Sequence, residues 1–421
     1  MKKLLCLAAL FLALACSTEE RPDEQESREY ENKIILQELQ MQEAGVKLKW
    51  SILNTTDFQS YEILRSESEE ENNFQTLKFI NDNEKTDFID TELPYSPYVS
   101  YKIIGHNYSG TAPIESNMQV YKRPEVIKFN GYIDQVIPQF AQNKMYLISR
   151  KGQVTLMDLE TNNILKTLET ESHIGFVDIK TFNGKEELYV PRNDGWIYIY
   201  DAKSFELIDR IDTGRASSSI IFNNNRLFVS TDAWTDRPLK VYSRISGDLI
   251  EETGDFDLTR LRQIPGSNTD LLEITLNVGP VDQDIYKFDA NGSLIEHLND
   301  TYHGDFSLDA NIFNFFPDAE RFITGREGAI YSKNMIYQSR LPKGYLEFSS
   351  FSFNIEDQLI YAGCSNERSI QEYDLNDLSR KGFIETKSYP QFIFKNLGQI
   401  YIIGLSSNSN NSNFVFEKIN L

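Results

Sequence analysis

The chain has few of the residues from which catalytic and metal-binding sites are usually built. It contains only four histidines and three cysteines among 421 residues, and no two histidines have the spacing of a helical metal-binding pair. The nucleophile motifs Gly-x-Ser-x-Gly and Ser-x-x-Lys are missing, as is a glycine-rich phosphate loop. We therefore predict a protein that is not an enzyme and that has no cofactor and no resident metal.

Positive charge is also scarce. Lysine and arginine number 42 against 63 aspartates and glutamates, which gives a formal net charge of −21. Nucleic acids and anionic lipid surfaces attract clustered Lys and Arg, so we expect neither as a partner. Helix-length apolar periodicity is lacking, whereas 27 Phe and 22 Tyr favour strands. The length suggests two or three domains.

The N-terminal apolar run, residues 4–15, follows two lysines and ends in small residues directly before Cys16. A membrane-spanning helix needs about 20 apolar residues, so this run predicts a signal peptide over residues 1–15. The ending resembles a bacterial lipobox, which implies that Cys16 is lipidated and anchors the protein to a membrane. The alternative is an ordinary cleaved signal in which Cys16 is incidental.

Residues 16–32 are acidic and have no core-forming pattern, which predicts a solvated tether. Acidic residues directly after the cysteine also resemble the export signal of Bacteroidetes lipoproteins. That resemblance implies a location on the outer face of the outer membrane.

Because Cys6 and Cys16 lie in or next to the signal, Cys364 is left without a disulfide partner, and we expect it to be a small buried hydrophobe.

Residues 33–122 consist of short alternating runs separated by polar turns. The positions of Trp50, Tyr61, Leu93 and Tyr101 resemble those of a fibronectin type III domain. The resemblance implies a β-sandwich with these four residues in its core and Tyr101 at the tyrosine corner, bonded to an upstream loop. The acidic cluster at residues 67–71 is predicted to be a solvated hairpin loop, with a calcium site as the less favoured alternative.

From residue 123 to 421 one unit recurs: strand, polar turn, strand often ending in an acidic residue, short turn, strand. Seven copies follow one another at intervals of roughly 40 to 50 residues, which indicates a seven-bladed propeller of four-stranded blades. The copies are centred on Tyr146, Tyr189, Phe228, Ile274, Phe322, Tyr361 and Tyr401. The last copy stops before an outermost strand, and we predict that residues 126–129 complete it.

Repeats of Val-x-x-x-Asp followed by a turn and an apolar strand resemble YVTN-type or quinoprotein-like propellers. The Gly-His and Trp-Asp marks of WD40 repeats are lacking. This resemblance implies a fold and no particular function. The predicted fold class is therefore all-β, with a fibronectin type III-like sandwich followed by a seven-bladed β-propeller.

The turns between the second and third strands of the blades carry the candidate binding residues, because they face one mouth of the propeller. They supply an exposed aromatic residue and a ring of arginines suited to a carboxylate, a sulfated sugar or an acidic peptide loop. The alternative is that these turns only confer solubility and that each arginine pairs with a neighbouring acid. The predicted residues are Trp234, Arg150, Arg192, Arg237, Arg326 and Arg368.

His173 and His303 fall in connections between blades, at the same predicted mouth. Two histidines facing each other there could bind a metal or move protons, although isolated surface histidines are the simpler interpretation.

The favoured function is a lipid-anchored cell-envelope scaffold whose mouth engages a protein partner, such as an accessory subunit of an outer-membrane complex. The alternatives are a surface glycan-binding lipoprotein of a polysaccharide-use system and, less favoured, a propeller hydrolase or lyase.

Overall fold

The computed structural model describes residues 33–267, 269–300, 304–409 and 412–421. In these residues the chain forms 36 strands and one short 3₁₀ turn at Phe140–Gln142, which confirms the prediction of an all-β protein. Within the same ranges, no helix is long and apolar enough to cross a membrane. Cys16, the acidic tether and His303 lie outside the described residues, so the expectations about them stay predictions.

The N-terminal unit contains two antiparallel sheets. One has three strands in the order β1-β2-β5, and the other has five, in the order β4-β3-β6-β7 with β8 also pairing β6. The strands are β1 (Gln40–Gln42), β2 (Gly45–Lys49), β3 (Phe58–Ser66), β4 (Gln75–Ile80), β5 (Asp87–Asp90), β6 (Tyr98–Asn107), β7 (Ile114–Glu115) and β8 (Gln119–Lys122).

Large aromatic side chains fill the space between these two sheets. Trp50, Tyr61 and Tyr101 are buried, and Leu93 packs against the same cluster, as predicted. The Tyr101 hydroxyl donates a 2.7 Å hydrogen bond to the carboxylate of Asp90 at the end of β5, so its partner is a strand-end side chain. Assignment of this unit to the fibronectin type III family stays a prediction.

Seven four-stranded antiparallel sheets follow in the described part of the chain. We call them blades 1 to 7 in chain order. Blades 1 to 3 contain β10 (Gln135–Gln139), β11 (Lys144–Ser149), β12 (Gln153–Asp158), β13 (Ile164–Glu169); β14 (Asp178–Phe182), β15 (Lys185–Pro191), β16 (Trp196–Asp201), β17 (Leu207–Asp212); and β18 (Ser217–Asn223), β19 (Arg226–Thr231), β20 (Leu239–Ser243), β21 (Leu249–Thr253).

Blades 4 to 6 repeat the same order from inner to outer strand. They contain β22 (Thr259–Gln263), β23 (Asp270–Thr275), β24 (Gln283–Phe288), β25 (Leu294–Asn299); β26 (Phe313–Phe315), β27 (Arg321–Thr324), β28 (Ala329–Ser332), β29 (Tyr337–Arg340); and β30 (Phe348–Asn354), β31 (Leu359–Cys364), β32 (Ser369–Asp374), β33 (Arg380–Glu385). Blade 7 contains β34 (Tyr389–Asn396), β35 (Gln399–Leu405), β36 (Phe414–Asn420) and, from before blade 1, β9 (Ile127–Phe129).

The acidic residue at the end of several third strands forms the turn into the fourth. Asp158 Oδ1 accepts the backbone N–H groups of Glu160 and Thr161 at 3.0 and 2.8 Å, and Asp201 and Asp374 make equivalent bonds. Such aspartate turns explain the Val-x-x-x-Asp repeats physically. In blades 1 to 6 a register shift then increases the twist of the outer strand.

Apolar clusters between successive blades form the core of the propeller. All seven predicted blade centres lie in second strands. At each junction, buried apolar side chains of two adjacent blades pack into one cluster. One cluster joins Met145 and Leu147 of blade 1 to Tyr401 and Ile403 of blade 7. The blades therefore form a closed ring, which confirms the seven-bladed propeller.

A strand from the start of the propeller completes its last blade, as predicted. In the antiparallel pairing of β9 with β36, Ile127, Lys128 and Phe129 lie opposite Phe416, Val415 and Phe414. This pairing covers the outer edge of β36, which would otherwise be an unpaired edge able to aggregate. Phe129 also packs into the cluster shared by blades 7 and 1.

We expect Phe129→Ala to lower the free energy of unfolding by about 3 kcal/mol or more, because it leaves a cavity at the seam where the ring closes. Phe383→Ala is the matched control, since Phe383 also lies in an outermost strand but is 55% exposed, against 5% for Phe129. Its expected loss is about 0.5 kcal/mol. Urea denaturation of both variants provides the measurement, and equal losses would contradict the role of β9 as the closing strand.

Candidate functional site

One face of the ring collects the predicted binding residues. In a four-stranded antiparallel blade, the turn between strands two and three lies at the same end as the connection to the next blade. The seven turns and seven connections therefore form one rim around the central channel, and we call this face the mouth. It carries Arg150, Arg192, Trp234, Arg237, Arg326, Arg368 and His173.

The N-terminal unit rests on part of the mouth through Glu67. Its carboxylate accepts hydrogen bonds from the hydroxyls of Ser406 and Ser407 at 2.5 and 3.0 Å and from the Asn413 amide at 3.2 Å. These three residues belong to the turn between β35 and β36 in blade 7. In addition, the backbone N–H of Tyr95 donates to the carbonyl of Ser406 at 2.9 Å.

The prediction that residues 67–71 form a solvated loop is therefore wrong for Glu67. A polar turn of blade 7 supplies hydroxyl and amide donors that hold its carboxylate. Further along the same loop, Glu69 pairs with Lys122 and Glu71 with Lys102. Cations of the N-terminal unit and hydrogen-bond donors of blade 7 thus hold this acidic loop from two sides.

Arg368 has a structural partner in this docking. Its guanidinium donates to the carbonyl oxygen of Leu93 at 3.0 Å and lies over the ring of Tyr389. Lys387 lies over the ring of Tyr95 on the same side. Among the described residues, these direct contacts fall on blades 6 and 7, so the predicted arginine ring is interrupted there and the rim of blades 1 to 5 stays accessible.

On the accessible rim, Trp234 stands out with 78% of its surface exposed. Arg237 lies in the same turn of blade 3 and is exposed, while Arg326 on blade 5 is exposed and pairs with Glu347 at 2.9 Å. Arg192 differs, because it is half-buried, bonds Asp194 at 2.7 Å and lies 4.2 Å from the centre of the Tyr198 ring. Arg192 is thus mainly tied to its own turn.

Two further arginines, which were not predicted as binding residues, lie at the centre of the mouth. Arg260 and Arg262 lie two residues apart on β22, the inner strand of blade 4, and both donate to the carbonyl of Ala310, at 3.1 and 3.2 Å. The guanidinium carbons of Arg260 and Arg150 lie 3.9 and 4.7 Å from the centre of the Phe176 ring. This stack brings together side chains from blades 1, 2 and 4.

At Arg260, burial outweighs the attraction of the nearby carboxylates of Asp309 and Asp134. Burial lowers the pKa of Arg260 well below its usual range, and the nearby Arg262 and Arg150 lower it further. Burial alone lowers the pKa of Arg262 to about 10. The signal that could have identified this centre from the sequence is a pair of arginines in an inner strand, because inner strands line the central channel.

The two candidate histidines are not brought together in the described residues. His173 is exposed, and its backbone carbonyl accepts the N–H of Asn193 at 3.0 Å. Because His303 lies outside the described ranges, their pairing stays a prediction.

Cys364 is buried as predicted, and burial raises the pKa of its thiol to about 11, which disfavours the reactive thiolate.

A group able to hold a metal ion lies elsewhere, at the junction of blades 3 and 4. Ligand atoms of Asp255, Asp284 and His297 all lie within 4.8 Å of one another. His297 Nε2 is 2.9 Å from Asp284 Oδ2, so these two groups already satisfy each other as an ion pair when the imidazole is protonated. The three residues come from a connection, β24 and β25, and no spacing in the sequence unites them.

Glu273 on β23 adjoins this group and is fully buried. The Tyr286 hydroxyl lies 3.1 Å from Glu273 Oε2 and 3.3 Å from Asp284 Oδ2, so one hydroxyl proton serves two carboxyl groups. Burial raises the pKa of Glu273 to about 8, although its hydrogen bond from Thr259 opposes the shift. At neutral pH this carboxyl is therefore largely protonated.

Comparison with known proteins gives similarity of fold only. No protein-family model matches the chain, and no curated protein matches its sequence. The solved WD40 repeats of RRP9 share 13% identity at a TM-score of 0.50, covering 70% of this chain and 97% of that one. U3-55K shares 14% identity at a TM-score of 0.51, covering 70% and 98%.

This chain contains a propeller similar to WD40 propellers. The similarity arises despite the missing WD40 marks, and at such low identity it carries no statement about partners. Kuenenia stuttgartiensis hydrazine synthase also aligns, at 14% identity and a TM-score of 0.49 over 66% of this chain and 92% of that one, and supports no argument at that level. Placement among YVTN-type or quinoprotein-like propellers stays a prediction.

We expect Glu273→Gln to change how stability depends on pH. Because the pKa of Glu273 is raised in the folded state, the wild-type protein loses stability as pH rises from about 4.5 through 8, and a neutral glutamine removes that loss. The variant should therefore gain about 1 kcal/mol or more relative to wild type between pH 5 and pH 8.5. Thermal unfolding at both pH values tests this, with exposed Glu206→Gln as the charge-matched control; parallel pH profiles for Glu273→Gln and wild type would refute it.

Proposed function

We propose that this protein is a binding scaffold whose propeller mouth engages a protein partner over blades 1 to 5. The observation that carries the proposal is Trp234, a large aromatic side chain 78% exposed on the accessible rim. Tryptophan and arginine are enriched among the residues that contribute most to protein interfaces, and Arg237 shares the turn with Trp234.

The charge of the rim suggests the kind of partner. The chain as a whole has a net charge of −21, yet the accessible rim presents Arg237 and Arg326, with Arg150 nearer the centre. Charge complementarity guides association and selects among partners more than it adds affinity. The same rim also carries carboxylates, among them Asp232 and Asp236 in the turn of Trp234 and Glu347 paired with Arg326, so a partner surface with both acidic and basic groups fits it best.

Docking of the N-terminal unit supports a defined orientation for the partner. Contacts through Glu67 and Arg368 place that unit over blades 6 and 7. A partner seated on the remaining rim would then meet the propeller from one side and the N-terminal unit at its flank. WD40 propellers share the fold, but a fold alone does not assign a partner.

A double variant tests the mouth. We expect Trp234→Ala combined with Arg237→Ala to weaken binding of the partner at least thirtyfold, since loss of an interface anchor costs about 2 kcal/mol or more. The partner is first identified by photo-crosslinking from position 234 in producing cells, and its affinity is then measured with purified proteins.

The matched control is Ile245→Ala combined with Lys203→Ala, which removes an exposed apolar and an exposed basic side chain from the opposite face. This control should bind like wild type. Equal affinity of the Trp234→Ala, Arg237→Ala variant and wild type would place the interface away from the mouth. Because exposed substitutions change stability by only about 0.5 kcal/mol, unfolding should not confuse the result.

We also propose that the scaffold is held at the outer membrane by a lipid on Cys16 and faces the cell surface. The lipobox-like ending of the signal and the acidic residues that follow it support this location. A lipid-anchored protein needs no spanning helix, since each buried acyl methylene contributes about 0.8 kcal/mol.

Cys16→Ser should abolish lipidation and move the protein from the membrane fraction to the soluble fraction. Fractionation, together with mass spectrometry of the mature N-terminus, provides the measurement, and Cys364→Ser is the control that should leave the distribution unchanged. A wild-type protein without acyl chains would refute the anchor.

A further inference from the structure

A cleft of about 790 Å³ lies between the N-terminal unit and blade 7, next to the connection that leads into blade 1. Its volume falls within the range of about 300 to 1,000 Å³ that is usual for small-ligand sites, and such sites often lie between domains. The N-terminal unit contributes the segment around Asn73 and Gln75, and the propeller contributes β9 and the connection that follows it. The cleft is separate from the exposed rim around Trp234.

The lining of the cleft is chiefly polar, and parts of it have no partner. It contains amide side chains and serine hydroxyls, which can donate and accept hydrogen bonds at once. Within the described ranges, the side chain of Gln75 makes no hydrogen bond, and the ammonium group of the half-buried Lys128 makes neither a hydrogen bond nor an ion pair. These groups are available to a ligand with many hydroxyl groups.

Tyr132 adds a flat aromatic surface at the edge of the cleft. Its ring is 58% exposed, and Phe414 supports it by an edge contact at 6.5 Å between ring centres. The ammonium group of Lys151 lies 4.6 Å from the centre of the same ring. An aromatic ring next to a cation suits a ligand that has both an apolar face and an acidic group.

The balance of charge around the cleft also favours an acidic ligand. Arg65 and Lys128 lie in the lining with one carboxylate, Glu67, which the donors of blade 7 already hold. Arg65 is paired with Asp90, so Lys128 and the nearby Lys151 are the cations free to meet a ligand. Because the oxygens of Glu67 are already engaged by blade 7, the charged groups that stay open to a ligand are cationic.

We propose that this cleft binds an oligosaccharide that carries carboxylate or sulfate groups. Sugar hydroxyls meet the amides and serines, the apolar face of one ring packs on Tyr132, and an acidic substituent pairs with Lys128 or Lys151. The protein would then have two binding sites, one at the mouth for a protein partner and one in the cleft for a saccharide. The two sites do not depend on each other.

Calorimetry with the full chain tests this site with three probes of similar length: a galacturonate tetrasaccharide, a sulfated heparin tetrasaccharide and neutral maltotetraose. We expect at least one acidic probe to bind, maltotetraose to bind at least tenfold more weakly, and the acidic affinity to fall with rising salt. Failure of both acidic probes to bind, or equal binding of maltotetraose, would overturn the proposal.

Variants locate the binding. Lys128→Gln and Tyr132→Ala should each weaken the acidic probe at least tenfold, and Gln75→Ala should weaken it less; thermal unfolding verifies that each variant is folded. Matched controls are Lys185→Ala on the opposite face and Tyr108→Ala, whose ring is also exposed. Binding unchanged by all three cleft variants would overturn the site. The Trp234→Ala, Arg237→Ala variant should bind the saccharide normally, which separates failure of this site from failure of the mouth.

Discussion

Pairing of β9 with β36 is the constraint on which the rest of the structure depends. A propeller is a ring of sheets, and each blade buries its apolar faces only against its two neighbours. Without β9, blade 7 would expose the edge of β36, and the cluster that includes Phe129 and Phe414 would open to water. The strand that closes the ring therefore also completes its last core cluster.

The same pairing determines where the N-terminal unit lies. β8 ends at Lys122 and β9 begins at Ile127, so only four residues separate the unit from the outer strand of blade 7. Arg123 fixes this short link, because its guanidinium lies near the rings of Tyr95 and Tyr121 and donates to the carbonyl of Ser96. The contacts through Glu67 and Arg368, and the cleft beside them, follow from this placement.

Much of the fold could be predicted from the sequence, because apolar periodicity and aspartate turns are local signals. Tyr146, Tyr189 and the other blade centres lie in the second strands as expected. The strand before blade 1 could be predicted to complete blade 7, because the last repeat lacks an outermost strand. Trp50 and Tyr101, which the resemblance to a fibronectin type III domain placed in a core, are buried. These patterns need only the order of residues along one or two strands.

The candidate site was less accessible to such reasoning, because its contacts join residues far apart in the chain. Nothing near Glu67 indicates that serines of blade 7 would hold it, and nothing near Arg368 indicates a carbonyl in the N-terminal unit. The stack of Arg260 and Arg150 on Phe176 likewise needs three blades in place. Pattern and propensity identify elements, whereas tertiary geometry decides which polar groups meet.

Ring closure by β9 also has a consequence for biosynthesis. The two partners of the closing pair stand at opposite ends of the propeller sequence, so β9 leaves the ribosome first and β36 last. Until β36 emerges, the unfinished ring has an open edge and an exposed seam, and contacts between residues so distant in sequence form slowly. The propeller can therefore complete its ring only after β36 has been synthesised, however early the first blades fold.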